Sequence, residues 1–154
     1  MTNPSGPVSR WQHADQSVGL LLWQVTLAWQ RAMRAALEPH DLTHVQFVLL
    51  ASAWWLGEHE QPPTQQRIAD HAGTDTMMTS QVLRRLAARQ LITRELDEND
   101  ARAKRIVLTE VGRSVLTDAL ADVETTDAEF FGALGRSGDS FVNGLTALRD
   151  AHRG

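Results

Sequence analysis

The stretch that decides the fold runs from residue 91 to residue 113 and reads LITRELDENDARAKRIVLTEVGR. Its two ends alternate roughly like short β-strands, with Ile92 and Leu96 on one face of the first and Ile106 and Leu108 on one face of the second. The middle is densely charged, so the segment predicts a β-hairpin with a charged tip. A solvated tip is the commonest structure for such a charge run, and it is the alternative to any functional role.

Two short helices are predicted directly before this hairpin. Thr64 can cap a helix over QQRIADHA, Gly73 breaks that helix, and a new helix begins near Thr76 and runs to about Arg89. Two helices joined by a tight turn that contains glycine form a helix-turn-helix. With the hairpin behind it, the segment predicts a winged helix-turn-helix, in a chain that is mainly α with a small β-hairpin wing.

The second of these helices has two different faces. At 100° per residue, one side is an inward stripe of Thr79, Val82, Leu83 and Leu86. The opposite side and its flanks carry no acid and consist of Met77, Ser80, Gln81, Arg84, Arg85 and Ala88. Arginine can bridge O6 and N7 of guanine, glutamine can pair with adenine, and methionine can touch thymine methyl groups, so this face suits a DNA major groove. The alternative is an ordinary solvated surface that happens to hold arginines.

Charge is distributed unevenly along the chain. The 154 residues have a net charge of -4, yet residues 81–105 hold seven basic against four acidic side chains. One basic segment on an acidic body is typical of a localised polyanion contact, although a chance cluster is an alternative. The chain has no cysteine, which excludes disulfides, thiolate metal sites and thiol redox sensing.

Longer helices are predicted on both sides of the DNA-binding segment. Apolar residues at steps of three and four predict a buried helix over about 16–38, and a capping box of Thr43 and Gln46 begins a second helix that fails near Gly57. The predicted organisation is a flexible N-terminus (1–15), apolar helices (16–58), the winged helix-turn-helix (59–110) and C-terminal helices (111–154), and the broad apolar faces of the helices at both ends are best buried against a second copy of the chain in a dimer.

Several classes of site and location are not expected. No apolar run approaches the roughly 20 residues of a membrane span, and MTNPSGPVSR lacks the apolar centre of a signal peptide, so we expect a cytoplasmic protein with no membrane partner. Among six histidines, only His40 and His44 are four apart, and they straddle a helix cap, so no metal or other cofactor is expected. The chain has no glycine-rich phosphate loop and no Gly-x-Ser-x-Gly elbow, which argues against an enzyme.

Over residues 16–150 the sequence resembles the MarR family of bacterial transcription regulators. LTHVQFVLL and TQQRIADHAG are similar to segments of the family's helices, and the most specific match is the wing string of Arg94, Asp97, Asp100, Arg102, Leu108, Thr109 and Gly112. The sequence departs from the family in two places. Gln90 stands where the family usually has a glycine that ends the recognition helix, and Met77 and Met78 lie near positions where small polar residues are common.

The resemblance implies a homodimer that binds double-stranded DNA at a palindromic operator, most often as a repressor. In such a protein Arg102 would enter the minor groove, Asp100 would support the wing by holding an arginine, and Lys104 and Arg105 would contact phosphates. The alternative function is a winged-helix protein-interaction module without specific DNA binding.

The resemblance also implies a small aromatic or lipophilic ligand, because members of the family often bind such acids between the dimer helices and the DNA-binding region. Five tryptophans in 154 residues are an unusual concentration of indole. Our hypothesis is that Trp23, His44, Phe47 and Trp55 line an aromatic pocket. The alternative is plain core packing, which is the usual role of a tryptophan at helical spacing.

Overall fold

The computed structural model describes residues 8–100, 102 and 104–154. The elements in chain order are α1 (Val18–Leu37), α2 (His44–His59), α3 (Gln65–Ala72), α4 (Thr76–Ala88), β1 (Ile92–Leu96), β2 (Lys104–Leu108), α5 (Glu110–Phe131) and α6 (Gly138–Ala151). Of the predicted flexible N-terminus, residues 1–7 lie outside the described residues, and Ala14–Gln16 form one 3-10 turn before α1. The fold is therefore mainly helical with one antiparallel hairpin, as predicted.

Side-chain caps explain where five of the helices begin. In each, the capping oxygen accepts a hydrogen bond from the backbone amide three residues on, and the caps are Ser17, Thr43, Thr64, Asp75 and Thr109. The predicted capping box of Thr43 and Gln46 is complete, with both reciprocal bonds formed. Helix α2 continues past Gly57 to His59, because its last turn closes with the amide of Glu60 donating to the carbonyl of Leu56.

The core joins α2 to the DNA-binding region. Leu49, Leu50 and Leu56 on α2 are fully buried, as are Leu83 on α4 and Ile106 on β2. The predicted inward stripe of α4 is buried at every position. The helix-turn-helix and its wing thus share one hydrophobic core with α2 and α5.

The hairpin has the predicted strands, but Leu96 at the end of β1 is exposed. Ile92 pairs with Leu108 and is buried, whereas Leu96 pairs with Lys104 near the tip and is 66% exposed. The face that Ile92 and Leu96 were predicted to share is therefore buried at Ile92 only, since the hairpin extends beyond the core before β1 ends. The face of Ile106 and Leu108 on β2 is buried at both residues.

The end of α4 keeps a left-handed residue although glycine is replaced. Gln90 has φ of +60°, and its amide donates to the carbonyl of Ala87. Thr109 holds this turn from the start of α5, because its hydroxyl donates to the Gln90 carbonyl at 2.6 Å and its amide donates to the Leu91 carbonyl at 3.1 Å. The backbone therefore adopts the conformation that glycine prefers, with a side chain that makes it costly.

The two terminal helices leave much of their apolar surface uncovered. The predicted stripe of α1 is buried only at Met33 and Leu37, and α6 has no buried residue. The exposed apolar side chains on these helices are Val18, Leu20, Leu21, Leu22, Trp23, Val25, Leu27, Val142, Leu145 and Leu148. A single chain does not bury them.

Candidate nucleic-acid interface

The outward face of α4 lies in solvent, on the side of the helix away from the core. Met77, Gln81, Arg84 and Arg85 are exposed, and Ser80 is half-buried. Nη2 of Arg84 donates to Oγ of Ser80 at 3.1 Å, one helical turn back. Since α4 contains no acidic residue, this face offers donors without a competing carboxylate.

The wing tip is shaped by a bond between Asp100 and the backbone. Oδ1 of Asp100 accepts from the amide of Arg102 at 3.0 Å, and the Arg102 side chain is exposed. The prediction was that Asp100 aims an arginine side chain. Its described contact instead bends the chain two residues on, which is the Asx-turn that aspartate commonly forms.

A cleft lies between the wing and the start of α3. It has a volume of about 470 Å³ and is lined by Arg102, Lys104, Thr64, Gln65 and Gln66. The lining holds two cationic side chains and two amides but no acid. Such a set of donors matches the oxygens of a nucleic-acid phosphate, which fixes a protein on the duplex without reading its sequence.

Arg105 is placed differently from its neighbours in the wing. Its side chain is only 29% exposed, and the guanidinium bonds to the carboxylate of Asp97 and to the carbonyl of Pro62. The phosphate contact of Arg105 stays a prediction, and the guanidinium in this structure is engaged by Asp97 and Pro62. Sequence spacing did not reveal Asp97 as its partner.

The four residues of the hypothesised aromatic pocket are not brought together. Trp23 is 63% exposed on α1, Phe47 is buried in the core, and Trp55 is 48% exposed and stacks on His59 at 3.8 Å between ring centroids. His44 instead meets Trp29 edge-on at 5.0 Å. Of the four, His44 lines two cavities beside α1 and α2.

Two adjoining cavities share Arg34, His44 and Val45. The larger, of about 910 Å³, extends toward the α1–α2 connection and Arg89. The smaller, of about 370 Å³, is lined in addition by Gln30, Val48, Thr74 and Met78. The smaller cavity therefore touches α1, α2, the turn of the helix-turn-helix and the first turn of α4.

His44 lines both cavities. Burial lowers the pKa of its imidazole, and the nearby carboxylate of Asp127 opposes that shift only in part. Asp127 is itself held by Trp29, whose Nε1 donates to Oδ1 at 2.8 Å. His44 is therefore neutral at pH 7 and adds a polar but uncharged group to the cavity wall.

Within residues 8–100, 102 and 104–154, no three histidine, aspartate or glutamate side chains converge as metal ligands would. None of the described helices combines the length and the apolar character needed to cross a membrane.

A helix-turn-helix with an acid-free outward helix, followed by a hairpin that presents Arg102 and Lys104 to a cleft without acids, defines a winged-helix protein of the DNA-binding class. A family model described as the MarR family matches residues 42–104. An uncharacterized HTH-type transcriptional regulator of Bacillus subtilis (strain 168), YdcH, is 40% identical over 140 residues, which are 91% of this chain and 95% of the relative. The chain belongs to the MarR family of transcriptional regulators.

Solved structures agree with this assignment. CouR from Rhodococcus jostii RHA1, bound to p-coumaroyl-CoA, is 28% identical and superposes with a TM-score of 0.78 over 92% of this chain and 95% of CouR. The S. aureus MepR–DNA complex, at 23% identity and a TM-score of 0.78, covers 88% of this chain and 98% of MepR, and it shares the fold.

Proposed function

We propose that this MarR-family regulator is a homodimeric repressor that binds a palindromic operator, and that a small aromatic or lipophilic ligand changes its affinity for DNA. The observation that carries the proposal is the exposed, acid-free face of α4 beside the cationic cleft of the wing. In this arrangement Gln81 and Arg84 read bases in the major groove, and Met77, Ser80 and Arg85 flank them. Arg102 reaches the minor groove and Lys104 contacts a phosphate.

The proposal of a dimer rests on the uncovered apolar side chains of α1 and α6. They form exposed patches on two helices of one chain, and patches of this kind mark interaction surfaces. A second copy is the partner that a twofold axis would bring to both helices at once. The same axis presents two copies of α4 to successive major grooves, so the operator would be palindromic.

The proposal of a ligand rests on the smaller cavity. A molecule there would touch α1 and α2 on one side and Thr74 and Met78 on the other. Its binding energy would therefore depend on where α4 lies, and this dependence is what a shift of conformational population requires. Arg34 has no ion pair with any described residue and would anchor a carboxylate or another anionic group. The relative CouR is bound to an aromatic acyl thioester.

DNA recognition is tested by selecting duplexes from a random pool and titrating the most enriched duplex with the protein by fluorescence anisotropy. We expect a palindrome whose affinity survives competition by random DNA, and a loss of at least about tenfold for Arg84→Ala. Arg113→Ala is the matched control: Arg113 is an exposed arginine on α5 paired with Glu58, and the change should leave affinity within about twofold. A pool with no enriched sequence would contradict the proposal and favour the protein-interaction module.

The ligand is tested with a panel of aromatic carboxylates and their CoA thioesters, p-coumaroyl-CoA among them. A ligand that alters operator affinity should also change tryptophan fluorescence, because Trp29 packs against His44 at the cavity. Arg34→Met should weaken carboxylates by at least about tenfold but leave the matching neutral amides unchanged. Fluorescence unaffected by every compound that alters DNA binding would rule out this cavity.

A further inference from the structure

We infer that Asp97 and Arg105 are positioning residues that fix the wing against the start of the helix-turn-helix and do not contact DNA. We call Asp97, Arg105 and the carbonyl of Pro62 the wing clamp. The inference rests on the proposed DNA binding. It assigns different roles to two arginines of the wing: Arg102 contacts DNA, and Arg105 holds the hairpin in place.

The Arg105 guanidinium is held on two sides. Nε donates to Oδ2 of Asp97 at 2.9 Å, Nη2 lies 2.7 Å from the same oxygen as an ion pair, and Nη1 donates to the carbonyl of Pro62 at 2.9 Å. Asp97 is held from the other side as well, because its Oδ1 accepts from the amide of Asn99 at 2.9 Å. Its side chain is only 11% exposed. The contacts of Arg105 with Asp97 and Pro62 use three of the five N–H groups of the guanidinium and fix the direction in which the remaining two point.

The clamp joins pieces of the chain that are far apart in sequence. Asp97 follows β1, Arg105 lies on β2, and Pro62 belongs to the segment that enters α3. The backbone makes the same connection next to it, since the amide of Ile106 donates to the carbonyl of Pro63 at 2.8 Å and Thr64 bridges to Arg105. A two-stranded hairpin is marginal by itself. These links therefore determine where the tip with Arg102 stands relative to α4.

The carboxylate of Asp97 is suited to a permanent clamp. The amide of Asn99 and the guanidinium of Arg105 hold the pKa of Asp97 below its usual range, in that order of effect. The group is therefore ionised throughout the neutral range. Glu95 lies directly opposite Arg105 in the strand register, yet the described bonds of the guanidinium go to Asp97.

Asp97→Asn distinguishes two alternative roles of Arg105, a phosphate contact and a positioning residue, because the two roles predict changes of opposite sign in operator affinity. If Arg105 is a phosphate contact that Asp97 restrains, removing the acid frees a cation beside DNA, so affinity rises. If the pair is a clamp, affinity falls by at least about fivefold although a negative charge has been removed. Glu98→Gln, at the neighbouring exposed acid, is the control for charge alone and should leave affinity equal or slightly higher. Tighter binding by Asp97→Asn would overturn the inference.

Arg105→Lys gives a second, independent variant. Lysine keeps the charge that a phosphate contact needs but cannot make the forked bond to Asp97 while it reaches Pro62. The clamp predicts that Arg105→Lys weakens binding about as much as Asp97→Asn. Affinity within about twofold of the wild type would identify Arg105 as a simple phosphate contact.

A double-mutant cycle distinguishes positioning from general stability. If Asp97 acts through Arg102, Asp97→Asn should cost at most about twofold more once Arg102→Ala is present. A merely structural loss would persist in both backgrounds. The dimer mass and the thermal midpoint of each variant are measured beside the titrations.

Hydrogen exchange tests the wing clamp without DNA, so the inference and the proposed function can be refuted independently. In Asp97→Asn, peptides that cover residues 97–108 should exchange amide hydrogens at least about tenfold faster, while peptides of α4 stay unchanged. Unchanged exchange in the wing would overturn the clamp even if the operator is bound. Faster exchange with no selectable operator would leave the clamp standing and remove the proposed function.

Discussion

The winged helix-turn-helix and the terminal helices bury their apolar side chains in different ways. In the first, Leu83, Ile92 and Ile106 lie in a core that one chain completes. In the second, Leu22 is 52% exposed and Leu145 is 43% exposed. One chain therefore suffices to shape the outward face of α4 and the wing, whereas the uncovered terminal helices are the surfaces on which the proposed dimer depends.

The largest effect on DNA binding is expected from substitutions on the terminal helices, which a second chain would cover. Leu22→Asp combined with Leu145→Asp places charges on both terminal helices, and an unpaired buried charge typically costs about 3–5 kcal/mol. The dimer dissociation constant should rise at least about 100-fold, and operator binding should be lost. Sedimentation equilibrium measures the first and anisotropy the second.

Gln24→Asp is the control for this prediction, since Gln24 is an exposed polar residue on the same helix. It should leave the dimer intact. A double aspartate variant that stays dimeric at the wild-type dissociation constant would show that these helices are not the interface.

The next effect concerns the fit inside a single chain. A Cβ added to Gly112 would lie 1.9 Å from the carbonyl oxygen of Leu91, so Gly112→Ala forces α5 away from the end of α4. We expect the free energy of unfolding to fall by about 3 kcal/mol. Gly57→Ala is the matched control, because nothing lies within 4 Å of its added Cβ and alanine favours the helix. Denaturant unfolding measures the stability of both variants. If Gly112→Ala were as stable as Gly57→Ala, Gly112 would not lie in close contact with the Leu91 carbonyl.

A smaller and opposite effect is expected at the end of α4. Gln90→Gly removes the cost of a side chain at φ of +60° and should raise the free energy of unfolding by about 0.5–1 kcal/mol. Gln90→Ala is the control, because alanine also loses the long side chain yet keeps the strain. If both variants were equally stable, the left-handed conformation would not be the cause.

The smallest effect is a dependence on pH. Because burial lowers the pKa of His44 from the usual 6.5, folding favours the neutral imidazole. The contribution to stability is present above about pH 6.5 and is lost as pH falls through the lowered value. Between pH 7.5 and 5.5 the thermal midpoint should drop by about 1–2 °C more in the wild type than in His44→Asn. His152→Asn, which alters an exposed histidine, should keep the wild-type drop, and an identical drop in all three proteins would contradict the assignment.

The fold could be predicted from the sequence because its signals are local. The caps at Thr43 and Thr64, the break at Gly73 and the alternation around Ile106 each act within a few residues, and each element they predict is present. The faces of α4 followed from helical geometry alone. The exposure of Leu96 was missed, because alternation does not say where a hairpin leaves the core.

The site was predictable only where one element determines it. The outward residues of α4 were placed correctly, but the partner of Arg105 depends on strand register and on Pro62, 43 residues away along the chain. The cavity at Arg34 and His44 likewise forms between helices whose packing no spacing rule describes. Indole content directed the hypothesis to Trp23 and Trp55, which lie on the surface of one chain.

The most direct test of the account is the affinity of Arg102→Ala for the selected operator, measured by anisotropy at two salt concentrations with random DNA as competitor. We predict that the folded, dimeric variant binds at least about tenfold more weakly than the wild type, because the wing loses its contact in the minor groove. A binding isotherm that coincides with that of the wild type would contradict the central claim that the wing of this chain reads DNA.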